Sequence, residues 1–213
     1  MAAKQCVYPP TQEEPSDVYP PPQSSSDVYP PPTSKIQALF ARGTDPEIIR
    51  AFEAYDEDGN GSIDDEELQK ALSTADLSYS IRTVRLLMFK FNNINCTRIG
   101  PKEFTTLWHD LQAWRSIFEK FDRDRSGTID NMELRDALRQ LGCAVPQPVL
   151  QLLLTKYDRT GEDIGIDYDS FIECGLIVKG LTQKFKEKDK RRTGTATLTY
   201  EEFMLTVLPF IVA

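Results

Sequence analysis

The sequence predicts an all-α fold of repeated helix–loop–helix units behind an extended N-terminal tail. Three observations predict it. Apolar residues recur at helical spacing from Lys35 onward, as in Ile48, Ile49, Phe52 and Tyr55. The helical stretches are interrupted five times by short polar loops at nearly regular intervals. Nine of the 14 prolines fall before residue 35, a density that forbids helix there.

The tail, residues 1–34, repeats one phrase three times: VYPP at 7–10, then VYPPP at 18–22 and 28–32. Such a segment cannot bury enough apolar surface to fold and favours stretches of polyproline helix. It is expected to be disordered, serving as a solubilising linker or as a ligand for an aromatic-lined groove.

The first helix is announced by Thr44 and Asp45 as N-cap, with Pro46 at the first helical position. It stops at DEDGNGSIDDEE. Numbered from Asp56, oxygen side chains occupy positions 1, 3, 5 and 9 as Asp56, Asp58, Asn60 and Asp64. Gly61 stands at position 6, Ile63 at 8 and Glu67 at 12. This is the EF-hand pattern, and its spacing has a physical reason. Calcium is a hard cation that takes about seven oxygens at about 2.4 Å. Alternate residues of a tight loop aim at one point, Ser62 adds its carbonyl, and Glu67 closes the sphere from the next helix. A second match begins at Asp122. It offers Asp124, Ser126, Thr128 (through its carbonyl), Asp130 and Glu133, with Gly127 at position 6 and Ile129 at 8. Ca2+ is therefore the expected cofactor of both loops.

Three weaker loops share the frame. One starts at Asn92, with Ile99 at position 8 and Glu103 at 12, but Ile94 and Cys96 offer no oxygen. The next starts at Asp158 and is one residue long for the frame. Ile166 falls at position 9 and Ser170 stands where the closing carboxylate belongs, with Asp163, Asp167 and Asp169 nearby. The last starts at Asp189, with Arg191 at position 3 and Gly194 at 6, and its Glu201 and Glu202 come late. No metal is expected in the second or fifth loop, and at most weak binding in the fourth.

The loop starts are spaced 36, 30, 36 and 31 residues apart. EF-hands pair through a short antiparallel bridge at position 8. Ile63 should therefore meet Ile99, and Ile129 should meet Ile166. The short spacings require helices 101–121 and 169–188 to leave one hand and enter the next. The units are read as EF1 46–75, EF2 81–110, EF3 111–142, EF4 147–178 and EF5 179–213, within one domain 35–213 of about eight helices. The fifth hand has no partner in the chain. A second copy or a related chain is expected to cover it, making a homodimer or heterodimer that buries the apolar ending FMLTVLPFIVA.

Five hands, shared helices, a fifth loop lengthened by two residues and a Pro/Tyr-rich tail resemble the penta-EF-hand family. EFTTLWHDLQAWRSIFEKFDRDRSGTID and YDSFIECGLIVKGLTQKF are similar to the corresponding family segments, and the resemblance covers about 45–210. It implies loops one and three as the high-affinity calcium sites. It also implies a calcium sensor and adaptor, without catalysis, which opens an apolar pocket to recruit Pro/Tyr-rich protein segments or membranes. Trp108, Trp114, Phe118 and Phe121 are candidates for that pocket's wall. A calcium buffer, or a regulatory subunit of a calpain-like enzyme, is the alternative.

Charge and composition narrow the classes further. The chain of 213 residues carries a formal −8, which argues against nucleic-acid binding. That charge is concentrated. Loop 56–67 has seven acids and no cation, while loop 122–133 has four acids against Arg123 and Arg125. The rest of the chain sums to +1. Filling both loops would bring −8 to −4 and favour Ca2+-dependent peripheral membrane binding, helped by the basic run Lys184, Lys186, Lys188, Lys190, Arg191 and Arg192. One His, His109, cannot support a His-rich metal site or a thiol–imidazole pair. No apolar run is long enough to span a bilayer, and no apolar core follows Lys4 as in an export signal. The expected location is cytoplasmic, peripheral on membranes in calcium. Cys6, Cys96, Cys143 and Cys174 are expected to be free thiols.

Overall fold

The computed structural model describes residues 35–73, 77–91, 97–158 and 165–212, all within a single unit that spans 32–213. The tail repeats, Cys6, Cys96, Asn92, Ile94 and Asp163 lie outside the described residues.

A 3-10 turn, Gln37–Leu39, precedes eight α-helices. These are α1 Pro46–Tyr55, α2 Asp65–Leu72, α3 Ile81–Phe91, α4 Pro101–Phe121, α5 Asn131–Gln140, α6 Gln147–Tyr157, α7 Tyr168–Lys188 and α8 Tyr200–Val212. Two short strands, β1 Ile63–Asp64 and β2 Arg98–Ile99, complete the described elements. The fold is all-α and EF-hand in type, as the sequence predicts.

Local chemistry starts and stops these helices. Asp45 caps α1 by accepting a hydrogen bond from the Glu47 N–H at 2.8 Å, with Pro46 inside the first turn. Helices α2 and α5 open with capping boxes. The side chains of Asp64 and Glu67, and of Asp130 and Glu133, each accept from the other residue's backbone N–H. The two long helices α4 and α7 are the shared ones, each running from one loop into the next.

The position-8 residues pair as expected. Ile63 opposes Ile99 in the antiparallel β1–β2 ribbon, and Ile129 and Ile166 form an isolated bridge. The Ile129 N–H donates to the Ile166 carbonyl at 2.9 Å, and the reverse bond measures 3.0 Å. All four isoleucines are fully buried. Each bridge thus seats two loops on one apolar floor.

Aromatic rings fill the space between the long helices. Phe52 meets Phe40 and Phe104 edge-on at 5.3 Å each, and Phe118 packs on Tyr168 at 5.1 Å and Phe171 at 5.5 Å. Trp114 lies against α7 at Gly175, where a Cβ would stand 2.4 Å from the indole, so only glycine admits this approach. Trp114 and Phe118 are buried in the core of this structure. Trp108 and Phe121 remain partly exposed. Helix α8 differs from the others: Phe210 is buried, at 5.4 Å from Phe89, yet Tyr200, Phe203, Leu205, Leu208 and Ile211 are exposed.

Candidate calcium loops

The first loop is organised by Asp56, the C-cap of α1, which is 5% exposed. Its two carboxylate oxygens accept from the N–H groups of Asn60 at 3.0 Å and Gly61 at 2.8 Å. Asp58 also accepts from the Asn60 N–H, and Asn60 accepts from both the N–H and the hydroxyl of Ser62. Gly61, at φ +82°, makes the turn that brings these groups round. Glu67, 7% exposed, reaches back from α2 to accept from the N–H groups of Glu57 at 3.1 Å and Asp64 at 2.9 Å. The result is a convergence: Asp56, Asp58 and Glu67 each place an oxygen within 4.8 Å of the others. Among the described residues no other trio of carboxylate, thiol or imidazole ligands comes together so closely.

Such a set fits calcium. The atoms are oxygens, the group is strongly anionic, and buried carboxylates at both ends of the loop face one point. For Asp58, burial pushes the carboxyl up, but hydrogen bonds from Asn60 outweigh it and hold the group below its ordinary value, so it is ionised at neutral pH.

The third loop repeats the frame. Asp122 accepts from the N–H groups of Ser126 at 2.9 Å and Gly127 at 3.1 Å, and Asp124 accepts from Ser126 at 3.0 Å. Hydrogen bonds from Ser126 hold the Asp124 carboxyl below its usual range. Glu133, 8% exposed, accepts from Arg123 N–H at 3.1 Å and Asp130 N–H at 3.2 Å. The Ser126 hydroxyl bonds the Thr128 carbonyl at 3.1 Å. These bonds link Asp122, Asp124, Ser126, Thr128, Asp130 and Glu133 around the loop, and its carboxylates converge less closely than those of loop one.

One residue near the first loop was not picked out from the sequence as part of that site. Arg98, from the second loop, lies 3.5 Å from Asp58 and 3.7 Å from Asp64. The signal was present: an Ile63–Ile99 pairing in antiparallel register sets Arg98 opposite Asp64.

The fourth loop uses its acids elsewhere. Asp167 caps α7 through the Ser170 N–H at 2.8 Å. Asp169, buried, accepts from the Ser80 N–H at 3.2 Å and so tethers the start of α3. Ser170, in the closing position, is buried at 1%. Asp167 and Asp169 are thus engaged within the fold, while residues 159–164 of this loop lie outside the described residues.

In the fifth loop, Asp189 accepts from the N–H groups of Thr193 at 2.9 Å and Gly194 at 2.7 Å. Glu202 accepts from Thr199 N–H, as Glu67 does from Asp64, but two residues late, and Lys188 holds its other oxygen at 2.8 Å.

Cys143 and Cys174 are buried free thiols. Burial, with the Glu173 charge beside it, pushes the Cys174 thiol up to about 12, so it stays protonated at neutral pH. His109 is exposed on α4.

Comparison with known proteins agrees with this geometry. The EF-hand domain model matches residues 47–78 and 113–142, the segments that hold loops one and three. The chain is 59% identical to calcium-binding protein CBP of Oryza sativa subsp. japonica, over 84% of this chain and 62% of that protein. It is 36% identical to peflin of Xenopus laevis, over 76% of this chain and 58% of peflin. It thus spans less than two thirds of the length of these relatives. Among solved structures, a homologue of programmed cell death 6 protein from Leishmania major Friedlin superposes with a TM-score of 0.62. That match has 30% identity and covers 76% of this chain and 93% of the other.

Proposed function

Because the chain belongs to the penta-EF-hand family and binds calcium, we propose that it acts as a calcium sensor and adaptor through loops 56–67 and 122–133. The single observation that carries this reading is the convergence of Asp56, Asp58 and Glu67 on one point. In loop one, Asp56, Asp58, Asn60, Asp64, Glu67 and the Ser62 carbonyl would hold the ion. In loop three, Asp122, Asp124, Ser126, Asp130, Glu133 and the Thr128 carbonyl would do so.

When bound, calcium supplies positive charge that relieves the mutual repulsion of these carboxylates. The chain's own response follows from where the closing glutamates sit. Glu67 and Glu133 lie in the first turns of α2 and α5, so any shift of their carboxylates toward the loop centre moves those helices against α1 and α4. Movement there would expose apolar surface around the partly buried Trp108 and Phe121, a surface suited to Pro/Tyr-rich protein segments. The lowered net charge favours peripheral attachment to anionic membranes from the cytoplasm. The exposed apolar side chains of α8 favour pairing of the fifth hand with a second copy or a related chain.

Fluorescence of an apolar dye during calcium addition tests the sensor reading. A rise that Glu67→Gln diminishes supports it. Calcium uptake with no rise in dye fluorescence leaves a buffer. Capture of a larger enzyme subunit through α8 would place the chain as a regulatory subunit instead.

A further inference from the structure

The fifth loop keeps the backbone of a calcium loop and reverses its charge. Asp189 gathers the N–H groups of Thr193 and Gly194, as Asp56 gathers those of Asn60 and Gly61. The left-handed turns recur too: Gly59 and Gly61 at φ +66° and +82°, Arg192 and Gly194 at +54° and +79°. Between these anchors, loop one carries Glu57, Asp58 and Gly59, whereas the fifth carries Lys190, Arg191 and Arg192. Among the described residues, none of those three cationic side chains has a hydrogen-bond or ion-pair partner.

Beside them, the end of α7 and the loop line an open, solvent-facing cavity of about 760 Å³. Lys186, Lys190 and Arg192 line it, with Thr182, Phe185 and Asp189. The Lys186 ammonium has one weak contact, the Gly142 carbonyl at 3.4 Å. Asp189, a single negative charge whose oxygens accept from Thr193 and Gly194, cannot neutralise all three cations. Those bonds hold its carboxyl below the usual carboxylate range, outweighing burial. Three cations against one committed carboxylate leave the cavity at a net +2.

An anion that enters must offer several acceptors. Arg192 presents a planar fork suited to two phosphate oxygens, and the lysines add point charges. A cavity of this size matches the range of about 300–1,000 Å³ that holds a ligand of some tens of atoms, so a single phosphate or carboxylate would fill little of it. We propose that this cavity is a polyphosphate site, with Lys186, Lys190 and Arg192 as donors to a ligand that carries two or more phosphate groups. The site goes beyond the calcium reading: it shares no residue with loops one and three, and its occupation needs no calcium.

Calorimetry of the full chain in a calcium chelator, with inositol trisphosphate as probe, tests it. Saturable binding of one ligand per chain is expected. The charge-reversed variant Lys190→Glu/Arg192→Glu should bind at least about tenfold more weakly. Lys102→Glu, a reversal elsewhere on the surface, should bind as the wild type does. Arg192→Gly removes a cation at a position whose positive φ glycine accepts without strain, so its fold is secure; it should also bind more weakly, with an unchanged circular dichroism spectrum. Co-sedimentation with phosphatidylcholine vesicles that carry phosphatidylinositol bisphosphate separates the sources. Sedimentation that soluble inositol trisphosphate competes away marks a lipid headgroup as ligand, and soluble binding without sedimentation marks a free polyphosphate. Absence of saturable binding, or equal affinity in the wild-type and charge-reversed chains, overturns the proposal. Failure of the calcium-triggered dye response would leave it untouched.

Discussion

The first and fifth loops share the turn at positions 1 to 6 and have opposite electrostatics. In both, an aspartate at position 1 gathers the N–H groups of positions 5 and 6, and a glutamate one turn into the next helix accepts from the residue that caps it. In both, positions 4 and 6 take left-handed angles. The loops part at positions 2 to 4, and in the partner available to the closing glutamate. Glu67 is buried against the loop, while Glu202 is held by Lys188. The comparison teaches that the turn is built by a few backbone-gathering residues and the ion preference by the others. Loop shape and loop chemistry can therefore change independently.

The support beneath the two loops differs as well, and this gives the largest expected effect. Ile63 is fully buried in the β1–β2 ribbon, while Leu198, at the same offset before its capping residue, is partly exposed and has no paired strand. Ile63→Ala should cost about 2–5 kcal/mol of stability through lost burial and the cavity left behind. Leu198→Ala should cost less than about 1 kcal/mol. Thermal unfolding of both variants checks this, and equal losses would break the distinction.

Next in size is the closing residue. Glu67→Gln keeps the size and one acceptor for the Glu57 or Asp64 N–H but removes the charge and the second acceptor oxygen. It should weaken calcium binding at loop one about a hundredfold, roughly 2.7 kcal/mol. Glu202→Gln should leave the calcium heat unchanged. A smaller effect sharpens the picture of loop one itself. Arg98 contacts Asp58 and Asp64 from the second loop at 3.5–3.7 Å, with both partners substantially exposed. Arg98→Ala should raise loop-one calcium affinity by up to about fivefold at low salt, and less in high salt, as expected for an exposed ion pair of about 1 kcal/mol or less.

The smallest effect is the pH dependence of the fifth hand. Asp189 is lowered mainly by the Thr193 N–H, and Glu202 by Lys188 and the Thr199 N–H. A carboxyl depressed in the folded state stabilises fully above its unfolded value, near 4, and loses that contribution as pH falls through the lower folded value. Carboxyl titration by NMR should therefore find both groups below ordinary carboxylates, with α8 contacts loosening only in acid below about pH 4.

Much of this was legible in the sequence because the informative residues are local. Loop ligands, capping residues and position-8 isoleucines sit at fixed offsets, so the bridges Ile63–Ile99 and Ile129–Ile166 and the shared helices α4 and α7 follow from counting. What was not legible depends on contacts between distant segments. Trp114 and Phe118 carry no sequence mark that tells how deeply they are buried; that depends on the apposition of Gly175 to Trp114 and of Tyr168 and Phe171 to Phe118. Asp169 reads as a loop acid until the Ser80 N–H, 89 residues away, is seen to use it. Arg98 became part of the first site only through the strand register.

The most direct test of the central claim is a calorimetric calcium titration of the full chain beside the double variant Glu67→Gln/Glu133→Gln. High-affinity binding present in the wild type and lost from the double variant is the predicted result. A double variant that still binds calcium with wild-type affinity would contradict the assignment of loops 56–67 and 122–133.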